Sequence, residues 1–342
     1  MVTSNDYHIF GIHSDAERCF WGSYYLFVHI SAVLGDTLIL YASFQKNSFK
    51  LNKFIVTVIQ YIAVADLTYA VTSALPSSIS LFAGGWVLGD ALCYIKVYSS
   101  YFIGPGVVCL IPVLTAGKFL ILKYPTRIGF WKEETAHRVC VIVLIVPFII
   151  PFLLMIVDKN DIIFDYRIYT CDYKFTEDIW RTVTPIMSII TIFIPNIVIV
   201  STTVPTLKYL YAASRSARRV QGSIPWQGAL TVTLTGLVYC ISAFPLFICY
   251  LGKGFVEETS FLLIKFYRIA NFVSMINTVS NFYIYALTVK SFRRFLVLKV
   301  LSINMSIMSR ESSSTETGTK QGRTTNETET NDKRKRNEIR TQ

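Results

Sequence analysis

The amino-acid sequence predicts an all-α membrane protein, a bundle of seven transmembrane helices followed by a short amphipathic eighth helix. Hydrophobic residues make up 52% of the 342 residues and charged residues only 16%, a balance unlike that of a soluble domain. Seven apolar stretches recur at short intervals, each long enough to cross a bilayer, which takes about 20 residues. They are far longer than the strands of a membrane barrel, so the prediction is helical.

Charged or turn-forming segments separate the seven predicted helices. In chain order the helices are 21–44, 54–81, 91–122, 139–157, 180–210, 229–251 and 261–289. These form a predicted transmembrane domain, 21–289, between an extracellular segment, 1–20, and an interfacial helix, 291–300. The remainder, 301–342, is predicted to be a disordered cytoplasmic tail because it is rich in Ser, Thr, Glu and Lys and poor in aliphatic residues.

The placement of Lys and Arg predicts the orientation, because cationic side chains flanking short loops are retained in the cytoplasm. The loops after the first, third, fifth and seventh predicted helices are basic, whereas the loop after the fourth carries more acid than base. We therefore expect a multi-pass protein of the plasma membrane with its amino terminus outside. Attraction of basic loops to the membrane lipid of the inner leaflet then explains the net charge of +11. No nucleic-acid partner is expected.

The segment before the third predicted helix carries the most specific motif. It reads Trp86-Val87-Leu88-Gly89-Asp90-Ala91-Leu92-Cys93 and resembles the W-x-[FL]-G-x-x-x-C segment of rhodopsin-like (class A) G-protein-coupled receptors. The resemblance covers about residues 20–300 and implies a receptor that binds an extracellular ligand and signals to an intracellular heterotrimeric G protein. It also implies a disulfide between Cys93 and Cys171, which both lie on the oxidising side of the membrane, where such a bond persists.

The second predicted helix carries a carboxylate near the middle of the bilayer, where an isolated charge needs a partner or a function. Its segment, Ile62 to Leu67, resembles the family's L-A-x-x-D-L, which implies a sodium site. The polar residues assigned to this site are Asp36, Asp66, Asn277, Thr278 and Asn281. Val107 stands where the family has Ser, and Asp36 stands where it has Asn. The two acids could therefore hold a proton instead of a cation.

Further resemblances mark the activation switch in the sixth and seventh helices. Asn281-Phe282-Tyr283-Ile284-Tyr285 resembles N-P-x-x-Y, with Phe282 in place of Pro, and the sequence after Ser291 resembles the amphipathic eighth helix. Ser242-Ala243-Phe244-Pro245 keeps the Pro of C-W-x-P but loses its Trp. The residues assigned to the switch are Pro245, Asn281 and Tyr285.

The cytoplasmic end of the third helix departs from the family. Gly117-Lys118-Phe119 stands where the family has D-R-Y, so the cation is kept without its acidic neighbour and without the forked geometry of Arg. The residues assigned to G-protein coupling are Lys118, Phe119, Lys123, Arg215, Arg218 and Arg219. The departures at Gly117, Ala243 and Phe282 leave open whether the receptor signals on demand, signals constitutively or is silent.

Single positions disfavour two ligand classes. Ser100 stands where amine receptors carry Asp, and Met275 stands where opsins carry the Lys that binds retinal, so no retinal cofactor is expected. The residues expected to line the ligand pocket are Ser100, Tyr101, Met187, Phe247, Tyr250, Tyr267 and Asn271. Lys265 and Arg268 could meet an acidic ligand, and the acidic second extracellular loop a basic peptide. A neuropeptide-like or small chemosensory ligand is favoured.

Two other classes remain open at the level of sequence. A receptor-like protein that binds ligand without signalling would account for Gly117 and Ala243, and a seven-helix transporter or channel would account for the hydropathy and Asp66. The sequence shows no cluster of a nucleophile, a base and an acid, so an enzyme is not predicted. Ser312, Ser313, Ser314 and Thr315 are candidate sites for a receptor kinase and hence for arrestin.

Overall fold

The structure, a computed structural model, describes residues 15–45, 49, 51–124, 131–157, 162–165, 169–173, 185–217, 226–252 and 261–298. The chain divides into two compact units, Met1–Phe292 and Arg293–Gln342. The helical bundle belongs to the first unit. The predicted tail, 301–342, and most of the predicted extracellular segment, 1–14, lie outside the described residues.

The described part of the chain contains seven long helices and one short helix. They are α1 (Asp15–Phe44), α2 (Lys53–Ala83), α3 (Gly89–Lys123), α4 (Glu133–Val157), α5 (π turn Ile189–Phe193, then Ile194–Ala217), α6 (Trp226–Gly252), α7 (Phe261–Ser274 and Ile276–Thr288) and α8 (Lys290–Leu298). Within the described residues, five helices are long and apolar enough to cross a membrane, and α7 with α8 forms a bent pair that would be a sixth span. The predicted helical membrane class is confirmed.

α1 and α4 begin earlier than the sequence predicts. The apolar stretches start at Trp21 and Val139, whereas the helices start at Asp15 and Glu133. Both first turns carry acidic residues, which interact favourably with the partial positive charge of a helix N-terminus. Hydropathy predicts only the part of a helix that lies in lipid, so it does not predict these polar first turns.

The third helix is the centre of the bundle, because α3 packs against α2, α4, α5 and α6, while α7 packs against α1 and α6. The faces turned away from the bundle are apolar, as shown by Ile241, which is 71% exposed, and Leu287, which is 74% exposed. Contiguous exposed aliphatic side chains are rare on soluble monomers. Lipid is the solvent that accommodates them.

Two helices widen into a π turn that ends two residues before a proline. Ala70–Ala74 precedes Pro76 in α2, and Ile189–Phe193 precedes Pro195 in α5. Proline lacks an N–H and its ring clashes with the carbonyl four residues earlier. One extra residue in the turn relieves that clash, as π bulges do at many functional sites.

The segment Gly104-Pro105-Gly106 does not interrupt α3, although Gly and Pro are both unfavourable inside a helix. The helix is continuous from Gly89 to Lys123. A Cβ at Gly106 would lie 2.8 Å from Cδ2 of Leu144, so this glycine allows α4 to approach α3 closely. Gly104 instead faces the internal cavity described below.

Phe282, the residue that replaces the family's Pro in α7, packs directly on α1. A Cβ at Gly35 would lie 2.7 Å from Cβ of Phe282 and 2.8 Å from its Cγ. Atoms this close to the backbone cannot swing away, so the contact requires glycine at position 35. The pair Gly35 and Phe282 therefore fixes the distance between α1 and α7 beside the buried Asp36.

A short hairpin lies between α4 and α5. Its strands, β1 (Ile162–Asp165) and β2 (Thr170–Tyr173), are antiparallel, with Phe164 opposite Cys171. β2 packs against α3 and against the last part of α2. The helical bundle matches the predicted all-α class, and the hairpin is an addition that the sequence did not predict.

Candidate ligand cavity and intramembrane polar site

The predicted disulfide between Cys93 and Cys171 is present, with Cα atoms 5.5 Å apart. Both cysteines are buried together with Val97, and Trp86 and Ile162 pack around them. The bond attaches β2 to the first turns of α3. We call this end of the bundle the disulfide end, and the end that carries Lys118 the basic end.

An internal cavity of about 270 Å³ opens between the helices at the disulfide end and continues to the middle of the bundle. Six of the seven residues predicted to form the pocket line it, namely Ser100, Tyr101, Met187, Tyr250, Tyr267 and Asn271. Asp66, Asn277 and Thr278 lie in its wall as well. The predicted pocket and the predicted polar site therefore share one cavity.

Phe247 is the exception among the predicted pocket residues and does not line the cavity. The α6 residues that do so include Tyr239, Ala243, Leu246 and Tyr250, which share one helical face because they are three or four residues apart. Phe247 is rotated away from that face and stacks on Phe193 of α5, with ring centroids 5.3 Å apart. Its placement in the pocket is corrected to a packing role between α5 and α6.

Polar side chains hydrogen-bond to one another around the cavity at the disulfide end. Successive side chains of a strand point to opposite faces, so Thr170 and Asp172 reach the cavity while Cys171 faces α3. The Tyr101 hydroxyl donates to Asp172 Oδ1 at 3.0 Å. The Ser77 and Thr170 hydroxyls are 3.3 Å apart. Strand β2 therefore forms part of the cavity wall.

Lys96 is a cavity residue that the sequence analysis missed. It lies three residues after Cys93, is 6% exposed, and its Nζ donates to the carbonyl oxygen of Cys171 at 2.7 Å. A charged residue inside an apolar helix is by default a functional candidate, and this signal could have identified it. Lys265 and Arg268, which the sequence offered instead, do not line the cavity, since Lys265 is exposed and Arg268 pairs with Glu17 at 3.4 Å.

Asp36, Asp66 and Asn281, three of the residues assigned to the intramembrane polar site, are each 1% exposed. The side-chain amide of Asn281 donates to Asp66 Oδ2 at 2.9 Å. Both carboxyl oxygens of Asp36 and the Oδ1 atoms of Asn277 and Asn281 are buried without a hydrogen-bond partner among the described residues. Such unsatisfied oxygens are costly in a buried site. Their chemistry fits a hard cation, which oxygen ligands bind, and fits equally a proton held between two acids.

At the basic end, the ring of Phe54 packs closely against Gly117, the residue that stands where the family has an acid. A Cβ at Gly117 would lie 2.6 Å from Cε1 of Phe54, and the Phe54 ring packs edge-on against Trp131 at 5.2 Å. Lys118 is 6% exposed and pairs with no carboxylate among the described residues. Gly117 is therefore a packing requirement as well as the loss of a charge.

The other residues assigned to coupling and switching are placed as follows. Lys123 Nζ lies 5.5 Å from the ring centre of Phe119, and the Arg215 backbone belongs to α5. The side chain of Arg215, and the whole of Arg218 and Arg219, lie outside the described residues. Tyr285 is 1% exposed. Pro245 lies inside a continuous α6.

The chain belongs to the rhodopsin family of seven-transmembrane receptors, because the family model described as "7 transmembrane receptor (rhodopsin family)" matches residues 35–285. This membership decides against the transporter or channel that hydropathy alone allows. The chain is also similar to human cysteinyl leukotriene receptor 2, with 29% identity over 114 residues, 33% of this chain and 32% of that receptor.

A second relative is human G-protein coupled receptor 183, with 31% identity over 147 residues, 42% of this chain and 39% of that receptor. The chain thus spans about a third of the length of one relative and about two fifths of the other. The class of protein is a rhodopsin-like G-protein-coupled receptor, and these partial matches leave its particular ligand open.

Proposed function

We propose that this chain is a plasma-membrane receptor that binds a small extracellular ligand in the cavity at its disulfide end and activates a heterotrimeric G protein at its basic end. The observation that carries the proposal is that one continuous helix joins the two ends. α3 runs through both Cys93 and Lys118, and at 1.5 Å per residue this separation is about 37 Å. That length exceeds the roughly 30 Å hydrocarbon thickness of a bilayer.

The orientation follows from the chemistry of the two ends. A disulfide persists in an oxidising compartment, so the disulfide end faces the outside and the basic end faces the cytoplasm. The amino-terminal part of α1 also lies at the disulfide end, because Trp21 stacks on Phe272 and Glu17 pairs with Arg268. The amino terminus is then outside and the carboxyl terminus inside.

The size of the cavity favours a small ligand. Its volume of about 270 Å³ is near the lower limit of small-molecule pockets, roughly 300 to 1,000 Å³. Of the two ligand kinds that the sequence leaves open, this supports the small chemosensory molecule over a neuropeptide. The name of one relative, a cysteinyl leukotriene receptor, points to a small molecule as well.

Ligand binding shifts the receptor towards an arrangement in which α6 moves outward near Pro245 and opens a cleft at the basic end. Lys118 then contacts the G protein. No carboxylate among the described residues pairs with Lys118, so no described ion pair restrains it in the resting state. We therefore propose a raised basal activity, and the alternative is a receptor-like binder that does not signal.

Changing Lys118 tests G-protein coupling. We expect Lys118→Ala to lower basal G-protein activation about tenfold, as loss of a charged hydrogen bond would, and Lys118→Arg to retain most of it. The measurement is G-protein activation in cells, normalised to receptor at the surface. Lys132→Ala removes an exposed lysine at the start of α4 and is the matched control. Unchanged signalling in both Lys118 variants would refute the coupling role.

The intramembrane site would hold a sodium ion through Asp66, Asn277 and Asn281. A bound cation would neutralise the carboxylate and satisfy the buried oxygens, which stabilises the resting bundle. We expect sodium, compared with potassium at equal ionic strength, to raise the melting temperature, Tm, of the purified receptor. Asp66→Asn should remove the difference. Equal Tm values for the wild type in the two salts would exclude sodium and leave a proton between Asp36 and Asp66.

The tail and α8 supply further contacts with cellular partners. We propose that a receptor kinase phosphorylates the run from Ser312 to Thr315 and that arrestin binds the product, since each phosphate adds negative charge and strong acceptors. We also propose that Val297 and Leu298, both exposed, face lipid at the inner surface.

A further inference from the structure

Lys96 is a buried cation in the wall of the ligand cavity. Its ammonium group has three donors, and its one hydrogen bond within the described residues is to the Cys171 carbonyl at 2.7 Å. It forms no ion pair with any carboxylate among the described residues. Two of its donors therefore have no partner in the part of the chain that the structure describes.

A buried charge is costly unless it is paired and hydrogen-bonded. The carboxylates of Asp165 and Asp172 act on Lys96 through space without contacting it, and a peptide carbonyl carries no net charge. An anion in the cavity would supply the missing partner. Asp172 lies in the same wall, so a second negative charge on that anion would be repelled.

The rest of the cavity is polar at the disulfide end, has mostly apolar side chains further in, and is polar again where Asp66, Asn277 and Thr278 lie in its wall. Several hydroxyl groups belong to its wall at the disulfide end, among them those of Ser73, Ser77, Ser100 and Thr170. Deeper along the cavity the wall contains aliphatic side chains, namely Val107, Val108, Ile192, Leu246 and Met275. A ligand that fits has a polar head near Lys96 and an apolar body that extends along α3.

We propose that Lys96 binds the carboxylate of a small amphiphilic monocarboxylic acid whose apolar part extends towards Val107. From Lys96 to Val107 the helix rises about 16 Å, which sets the greatest useful length of such a ligand. The proposal rests on the proposed function, because it takes the cavity as the ligand site, and it specifies the chemical class of that ligand.

The test uses the purified full-length receptor without G protein and two probes, octanoate and phenylbutyrate, each beside its uncharged primary amide. We expect both carboxylates to raise the Tm of the wild type at millimolar concentration and the amides to raise it much less. Lys96→Gln keeps an N–H for the Cys171 carbonyl and removes the charge. It should weaken carboxylate binding at least about tenfold, as loss of a hydrogen bond to a charged group does.

Two control variants separate the effect of the positive charge at position 96 from the effect of a changed net charge. Lys96→Arg keeps the cation and should bind the carboxylates nearly as well as the wild type. Lys265→Gln makes the same change of net charge at an exposed position outside the cavity and should bind normally. The proposal is overturned if neither carboxylate raises the Tm of the wild type, if the amides raise it equally, or if Lys96→Gln binds as the wild type does.

The result of this binding test does not depend on G-protein signalling. Carboxylate binding that fails to activate a G protein would overturn the proposed function and leave Lys96 as the anion site. Ligand-driven signalling that is indifferent to Lys96→Gln would keep the proposed function and overturn this inference.

Discussion

Replacing Cys93 with serine should lower the Tm of the receptor strongly and abolish ligand-driven signalling. The disulfide joins residues 78 apart in the sequence, and loss of a native disulfide typically costs about 2–5 kcal/mol. Without it, β2 is no longer fixed to α3, so Thr170 and Asp172 leave the cavity wall. Binding should suffer more than folding, because the cavity loses a side while the helices still pack.

The double variant Cys93→Ser/Cys171→Ser makes this prediction specific to the bond. Either single change already breaks the disulfide, so the double variant should have the same Tm as each single variant, which is the signature of a pair acting as a unit. Cys19→Ser removes an exposed free cysteine and should change neither Tm nor signalling. Additive losses in the double variant would mean that the cysteines act separately.

Introducing the family's acid with Gly117→Asp should destabilise the receptor and also lower its basal activity. The new Cβ would lie 2.6 Å from Cε1 of Phe54, and Phe54 is 2% exposed and packed on Trp131, so its ring cannot move aside freely. Overpacking of this kind typically costs about 1–3 kcal/mol. The carboxylate would also pair with Lys118 and restrain it.

Gly117→Ala separates the steric effect from the electrostatic one. It introduces the same Cβ without the charge, so it should lower Tm as Gly117→Asp does and leave basal activity per surface receptor unchanged. Adding Phe54→Ala to either variant removes the clash, and the combined loss should be smaller than the sum of the single losses. A stable Gly117→Asp variant with wild-type basal activity would contradict both parts of the explanation.

The helices and the disulfide were predictable from the sequence, because both leave signals in the order of residues. Apolar stretches of bilayer length follow from the lack of hydrogen-bonding partners in lipid, and the Trp86 to Cys93 segment marks the start of α3. The pocket residues were predicted by position relative to such motifs. Residues on α3 and α7 that were chosen in this way, such as Ser100 and Asn271, line the cavity.

The remaining features depend on contacts between distant segments. Phe247 was misplaced because counting along a helix does not give its rotation, and a shift of one residue turns a side chain by 100°. Arg268 is buried against Glu17, 251 positions earlier, which no local pattern reveals. The packing of Phe54 at Gly117 and of Phe282 at Gly35 likewise joins separate helices.

The most direct test of the receptor assignment is which side of the membrane each end of the bundle faces. A membrane-impermeant maleimide should label the exposed Cys19 on intact cells. In a Cys19→Ser background, Lys123→Cys, at an exposed position at the basic end, should be labelled only after permeabilisation, with Cys19→Ser alone as background. Labelling of both cysteines in intact cells would place the amino-terminal part of α1 and the basic end of α3 on one side of the membrane and contradict the assignment.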